Sequence, residues 1–202
     1  MLKSKLIIFL CFLFCSKETI IAQHHISKYE VRWAIIHPIT ALKVKSRLDK
    51  AMVVYREVKD SKQLDSFESG GTLDAFRHSF TMAYLAQKIK LVKLRKLGIA
   101  HEKGNKSQFK KHQSEDGERA DSLACEMDLR NNELGFLVGS ANKNMNIEEL
   151  KLEIVTQIKL GNAWILKKNG KNEYVSCENE PILMENYKYQ WFLPKCLIKS
   201  NE

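Results

Sequence analysis

The sequence predicts a mainly α fold, a single helical domain with a small C-terminal β-hairpin and extended tail. Apolar residues recur at helical spacing over most of residues 28–161. Only three prolines and nine glycines interrupt 202 residues, and the period shifts to that of strands only after Gly161. With 44% hydrophobic and 28% charged residues, the composition excludes collagen-like, coiled-coil and wholly disordered chains. The length is sufficient to bury a core without staples.

Residues 1–22 stand apart from the fold. A short basic stretch, Met1 to Lys5, precedes the apolar run Leu6–Cys15, and Ala22 is a suitable small residue for cleavage. Ten apolar residues are too few to cross a bilayer, whereas an export signal needs no more. The chain is therefore expected to be exported, periplasmic or secreted, with its signal peptide cleaved near Ala22. Lipid attachment at Cys15 is disfavoured by the bulky Phe14 before it. Removing residues 1–22 lowers the net charge from +9 to +7. The chain stays basic, yet no arginine-rich patch interleaved with aromatics signals nucleic acid.

Along the rest of the chain, residues 28–59 read as helix, broken in two at His37-Pro38. Residues 60–71 are a polar turn ending in Gly70-Gly71. Helices are expected over Leu73–Lys90 and Leu91–Glu102, followed by a long hydrophilic loop, Lys103–Gly117. Helix resumes over Glu118–Val138, with a bend near Asn131-Asn132 as an alternative. Asn146 and Glu149 form a capping box for a helix through Leu160, which Gly161 stops in the left-handed conformation. Ala163–Lys168 and Lys171–Ser176 then read as a hairpin around a type I′ turn at Asn169-Gly170. Residues 162–202 belong to the same unit. Of the mature cysteines, Cys177 and Cys196 are close enough in the tail to bridge, while Cys125 reads as a buried apolar residue. No CxxC occurs.

Three polar motifs interrupt this apolar pattern. Asp74, Arg77, His78 and Thr81 fall within a sector of about 100° on a helix that is otherwise almost wholly apolar, so the stripe needs internal partners. Four residues apart, Asp74 can orient the His78 imidazole and fix its tautomer. His101, before Glu102, shares a face with Leu94, Leu97 and Gly98 and is thus inward. Asp128, Asn131, Asn132 and Gly135 lie at i, i+3, i+4 and i+7. Asparagine is a mediocre helix former, so the two side by side answer to tertiary hydrogen bonds or a ligand. A basic cluster, Lys88 to Lys96, alternates with aliphatic residues. It fits either a weak anionic-surface contact or the solvated back of a bundle helix.

Together, Gly70-Gly71, Asp74-Ala75-Phe76-Arg77-His78, Ala100-His101-Glu102 with Gly104-Asn105, and Met127-Asp128-Leu129 with Asn131, Asn132 and Gly135 resemble an uncharacterised family of exported bacterial proteins and toxin-associated domains. Where that family has tryptophan three residues after the motif's histidine, this chain has Thr81. The resemblance implies fold and export, and it marks the candidate residues without naming a reaction, a cofactor or a partner.

The leading functional expectation is a secreted hydrolase of an anionic or polymeric substrate. His78, oriented by Asp74, would act as general base, and Arg77 would stabilise developing negative charge. His101, Glu102 and Asp128 would hold zinc or a related divalent ion, or supply a second acid/base, with the Asn132 amide beside them. The rival expectation is a non-catalytic envelope or secreted interaction module whose same residues form a structural polar core.

Overall fold

A computed structural model describes residues 26–111 and 119–202; the expected signal segment lies outside them. Among the described residues run helices α1 (Lys28–Ile36), α2 (Pro38–Ser61), α3 (Thr72–Ala86), α4 (Leu91–Lys110), α5 (Ser122–Ala141) and α6 (Ile147–Lys159). Strands β1 (Trp164–Leu166) and β2 (Leu197–Lys199) complete the fold, which is mainly α. None of these helices is long and apolar enough to cross a membrane.

Helix α3 is the axis of the molecule. Its Leu73, Phe76, Phe80 and Leu85 are fully buried, and Phe76, Phe80 and Tyr84 stack along it at i, i+4 spacing, with ring centroids 5.2 and 6.2 Å apart. Val54, Tyr55 and Val58 of α2 and Leu150, Ile154 and Ile158 of α6 pack on it. Its most extensive partner is α5. That closeness depends on Gly135 and Gly139, where a Cβ would lie 2.3 Å from the Ser79 carbonyl oxygen and 2.1 Å from that of Ala83. Hydrogen at these two positions lets the backbones touch.

Local chemistry sets most boundaries. Pro38 opens α2 after His37 ends α1. Capping boxes start α1 (Ser27 with Glu30) and α6 (Asn146 with Glu149), and Gly161 adopts φ +82 after α6. Other boundaries differ from expectation. The loop expected from Lys103 is helical to Lys110, because Gly104 packs on Ser27 and the Phe109 ring meets Trp191 edge-on, centroids 5.1 Å apart. Residues 112–117 of that expected loop, and Glu118, the expected start of the next helix, lie outside the described residues. Helix α3 stops at Ala86, not Lys90, and the following Gln87 turns its amide to the carbonyls of Asn142 and Met145. Helix α5 begins at Ser122, capped by the Asp121 carboxylate, and runs unbroken through Asn131-Asn132.

The expected hairpin is the clearest correction. β1 pairs antiparallel with β2, Ile165 opposite Ile198, and not with Lys171–Ser176. The nearer segment forms only isolated bridges. Its turn is not type I′: Asn169 Oδ1 accepts from the Lys171 and Glu173 N–H groups, and the left-handed residue is Asn172 (φ 64), not Gly170. Two ties hold the returning tail. Cys177 and Cys196 form a disulfide, and Lys195 reaches the Asp121 carboxylate at 2.8 Å with both side chains buried. Cys125 is a buried free thiol.

Candidate functional site

Every member of the α3 stripe from Asp74 to His78 finds an internal partner. The Gly70 N–H donates to Asp74 Oδ2 at 2.8 Å, and Arg77 Nη2 donates to Asp74 Oδ1 at 2.8 Å. One turn along, His78 Nε2 lies 3.5 Å from Asp74 Oδ1 and 3.3 Å from Asp128 Oδ1, the latter brought across the close α3–α5 interface. Asp74 and Asp128 are buried and His78 nearly so. Within this group, one ligand atom from each of Asp74, His78 and Asp128 lies within 4.8 Å of the others, an arrangement that could hold a metal ion.

The two nitrogen–oxygen distances bear on that capacity. Ordinary N–H···O bonds centre near 2.9–3.0 Å. Ligands about 2.1 Å from a tetrahedral ion are separated by roughly 3.4 Å, the edge of the tetrahedron. The two imidazole–carboxylate spacings sit at that edge length, and the third separation, between the two carboxylate oxygens, falls within 4.8 Å.

His101 and Glu102 stand outside the group. His101 Nδ1 faces Glu30 Oε1 of α1 at 3.2 Å, so its inward face is turned to α1. Burial opposes ionisation of Glu30, but the His101 hydrogen bond and charge, helped by the Ser27 backbone and hydroxyl, hold its carboxyl down at about 2. Glu102 accepts from Asn105 Nδ2 at 3.0 Å and hydrogen-bonds the Cys125 thiol. Burial, then the charge and hydrogen bond of Glu102 and the nearby Asp128 and Asp121, push that thiol far above its ordinary range, so it is no nucleophile.

The asparagine pair divides its labour. Asn131 acts structurally: its amide donates to the Trp164 carbonyl and accepts from the Trp164 N–H, both at 2.9 Å, gripping β1 as a neighbouring strand would. Asn132, one turn beyond Asp128, is 3% exposed, and its Oδ1 has no hydrogen-bond partner among the described residues. It lines a cleft of about 400 Å³ between α4 and α5, with Gly98 and Leu129. A second cleft of about 320 Å³, where Phe109 meets Tyr174 and Tyr187, contains none of the motif residues.

The sequence also left two participants unmarked. Tyr55 of α2 donates to Glu68 Oε2 at 3.0 Å, and burial, opposed by Arg77 and helped by Glu68 and Asp74, raises its hydroxyl above the usual range. Tyr55 thus borders the Arg77–Asp74 pair. Glu30 could have been found through its S-x-x-E spacing with Ser27, which marks a helix start.

A family model described as Domain of unknown function (DUF6973) matches residues 31–162, more than half of the chain. The chain belongs to this family. The match begins inside α1 and closes just past Gly161, so it takes in all three polar motifs and leaves β1, β2 and the disulfide outside. Comparison with curated proteins and with solved structures gives no match.

Proposed function

We propose that this member of the DUF6973 family is an exported hydrolase whose Asp74, His78 and Asp128 hold one divalent cation, zinc or a related ion. The observation that carries the reading is the convergence of one ligand atom from each of Asp74, His78 and Asp128, with the two carboxylate oxygens 3.5 and 3.3 Å from His78 Nε2. One imidazole and two carboxylates leave coordination positions open, which suits a catalytic rather than a closed structural site. A cation there would polarise a substrate oxygen and lower the pKa of a bound water. The nitrogen that faces both carboxylates then serves as ligand and not as base, since a metal-bound nitrogen carries no proton. Arg77, bonded to Asp74 and partly exposed, would meet a negative group of the substrate. Export is supported by the Cys177–Cys196 disulfide, a bond that persists in oxidising compartments.

Titration calorimetry with zinc and manganese tests the site, expecting one ion per chain, loss of binding in Asp128→Asn and retention in His101→Ala. Hydrolysis of chromogenic phosphodiesters and esters by the loaded protein tests the activity.

One observation favours the structural reading. His78 Nε2 stands between the Asp74 and Asp128 carboxylates, and Arg77 pairs with Asp74, so a charged imidazole there would balance the group without an ion. In that case chelator leaves the melting temperature unchanged and no ion is found by elemental analysis.

A further inference from the structure

The break at His37-Pro38 gives the surface an apolar corner. Ile35, Ile36, Ile39 and Leu42 occur within eight residues and are all exposed, Ile39 to 72% and Ile36 to 60%. Large exposed aliphatic clusters of this kind mark surfaces that meet something other than water.

Positive charge surrounds the corner. Exposed Arg32 lies one turn before Ile36 on α1, and exposed Lys43 lies one turn after Ile39 on α2. The fold adds the basic cluster of α4. The Trp33 indole N–H donates to the Lys93 carbonyl and Lys93 Nζ donates to Thr40 Oγ1, each at 3.0 Å, so the start of α4 lies against the α1–α2 junction. This brings exposed Lys90, Val92 and Lys96 to the same side. No acidic residue occurs in residues 31–48 or 75–101, and Glu30 is turned onto His101.

We infer that this corner docks on an anionic lipid bilayer. Ile35, Ile36 and Ile39 enter the boundary between headgroups and acyl chains, while Arg32, Lys43, Lys90 and Lys96 lie among the lipid phosphates. An apolar tip behind a basic collar is the composition that an anionic membrane surface selects. A second copy of the chain fits worse, because pairing two such corners brings like charges together. Nucleic acid fits worse too, since the tip offers aliphatic side chains where bases need stacking partners. The inference stands apart from the Asp74–His78–Asp128 reading and survives its failure.

The test locates insertion rather than binding, because the apolar run Leu6–Cys15 of the full chain has its own affinity for lipid. In the full chain, Ile39→Trp adds fluorescence at the tip. Vesicles of phosphatidylglycerol and phosphatidylcholine carrying brominated acyl chains should quench that added signal severalfold. Quenching should largely vanish at high salt and on pure phosphatidylcholine. Leu152→Trp, exposed on α6, is the control. The neighbouring Lys151 pairs with Glu57, nineteen residues along α2 from Pro38 and so roughly 28 Å from the corner. This position should stay unquenched. Arg32→Glu with Lys43→Glu, introduced into the Ile39→Trp chain, should reduce the quenching of that tryptophan at least tenfold at an unchanged melting temperature. An unquenched Ile39→Trp overturns the inference, as does quenching indifferent to lipid charge and salt. Protection of that tryptophan by concentration-dependent self-association without vesicles overturns it in favour of a second copy.

Discussion

Substituting Gly135 by alanine sets two magnitudes of opposite sign against each other. In an exposed helix interior, Gly→Ala stabilises by about 1 kcal/mol through helix propensity. At Gly135 the new Cβ would lie 2.3 Å from Ser79 O, 2.9 Å from Ala83 N and 3.0 Å from Met82 Cβ. A carbon–oxygen contact settles near 3.3 Å, so α5 must withdraw from α3 by about 1 Å. The two nearest obstructing atoms are backbone and cannot rotate away. Overpacking of a tight core costs about 1–3 kcal/mol, and loosening the α3–α5 face puts this case at the upper end. The expected net destabilisation is about 2 kcal/mol, or roughly 4–8 °C in melting temperature for a chain of this size. Ser79 directly follows His78, so the same withdrawal opens the 3.3 Å His78–Asp128 spacing to roughly 4.3 Å, beyond a shared coordination edge. Thermal and urea denaturation measure the first effect and calorimetric metal titration the second. Gly170→Ala, with nothing within 4 Å of the added carbon, is the control and should be near neutral. A Gly135→Ala protein that melts at or above wild type would refute the close-contact account of this helix pair.

Three further outcomes are expected. Glu30, held at about 2 against an ordinary 4.5, contributes up to about 3 kcal/mol that is present above pH 4.5 and lost as pH falls from there toward 2; the stability advantage of wild type over Glu30→Gln should shrink across that window, and a constant difference would contradict the His101–Glu30 pairing. Lys195→Ala leaves the Asp121 carboxylate buried without its cation and should cost about 3 kcal/mol or more in urea unfolding, while a melt like wild type would mean that water reaches Asp121. Cys177→Ser, opening a bridge between residues 19 apart, should cost about 3 kcal/mol, matched by reductant on wild type and absent from reductant on the variant.

What the sequence made legible was local. The proline break, the Asn146–Glu149 box and the Gly161 stop each reside in a few adjacent residues, and all three are present. The α3 stripe was readable because an apolar helix with one polar face has to satisfy that face internally, and Asp74 with Arg77 does so. The partner of His78 was harder, since helical spacing says which residues share a face but not which faces meet. His101 illustrates this: its inward orientation followed from Leu94 and Gly98, yet the facing residue, Glu30, is 71 positions away on α1. The same holds for β1, whose Asn169-Gly170 sequence suggests a local return while its partner lies beyond the disulfide. Helix α4 outlasted expectation because Lys103–Lys110 lacks an apolar stripe and is held by single contacts, Gly104 on Ser27 and Phe109 on Trp191.

The stitching of residues 195–201 back onto the helices has a consequence in time. The Asp121 carboxylate that caps α5 waits for Lys195, β1 waits for β2, and Cys177 waits for Cys196. Ser200 closes the seam by donating to the Ile158 carbonyl at 2.6 Å. A chain delivered from its amino end, whether from a ribosome or through a narrow translocation channel, therefore carries a half-made sheet and an unanswered interior charge until residue 195 has emerged. Long-range closures of this kind are slow, and open strand edges recruit neighbours. The helices stay threadable until residues 195–201 arrive, and thiol oxidation can then follow the docking of β2 and make the closure permanent.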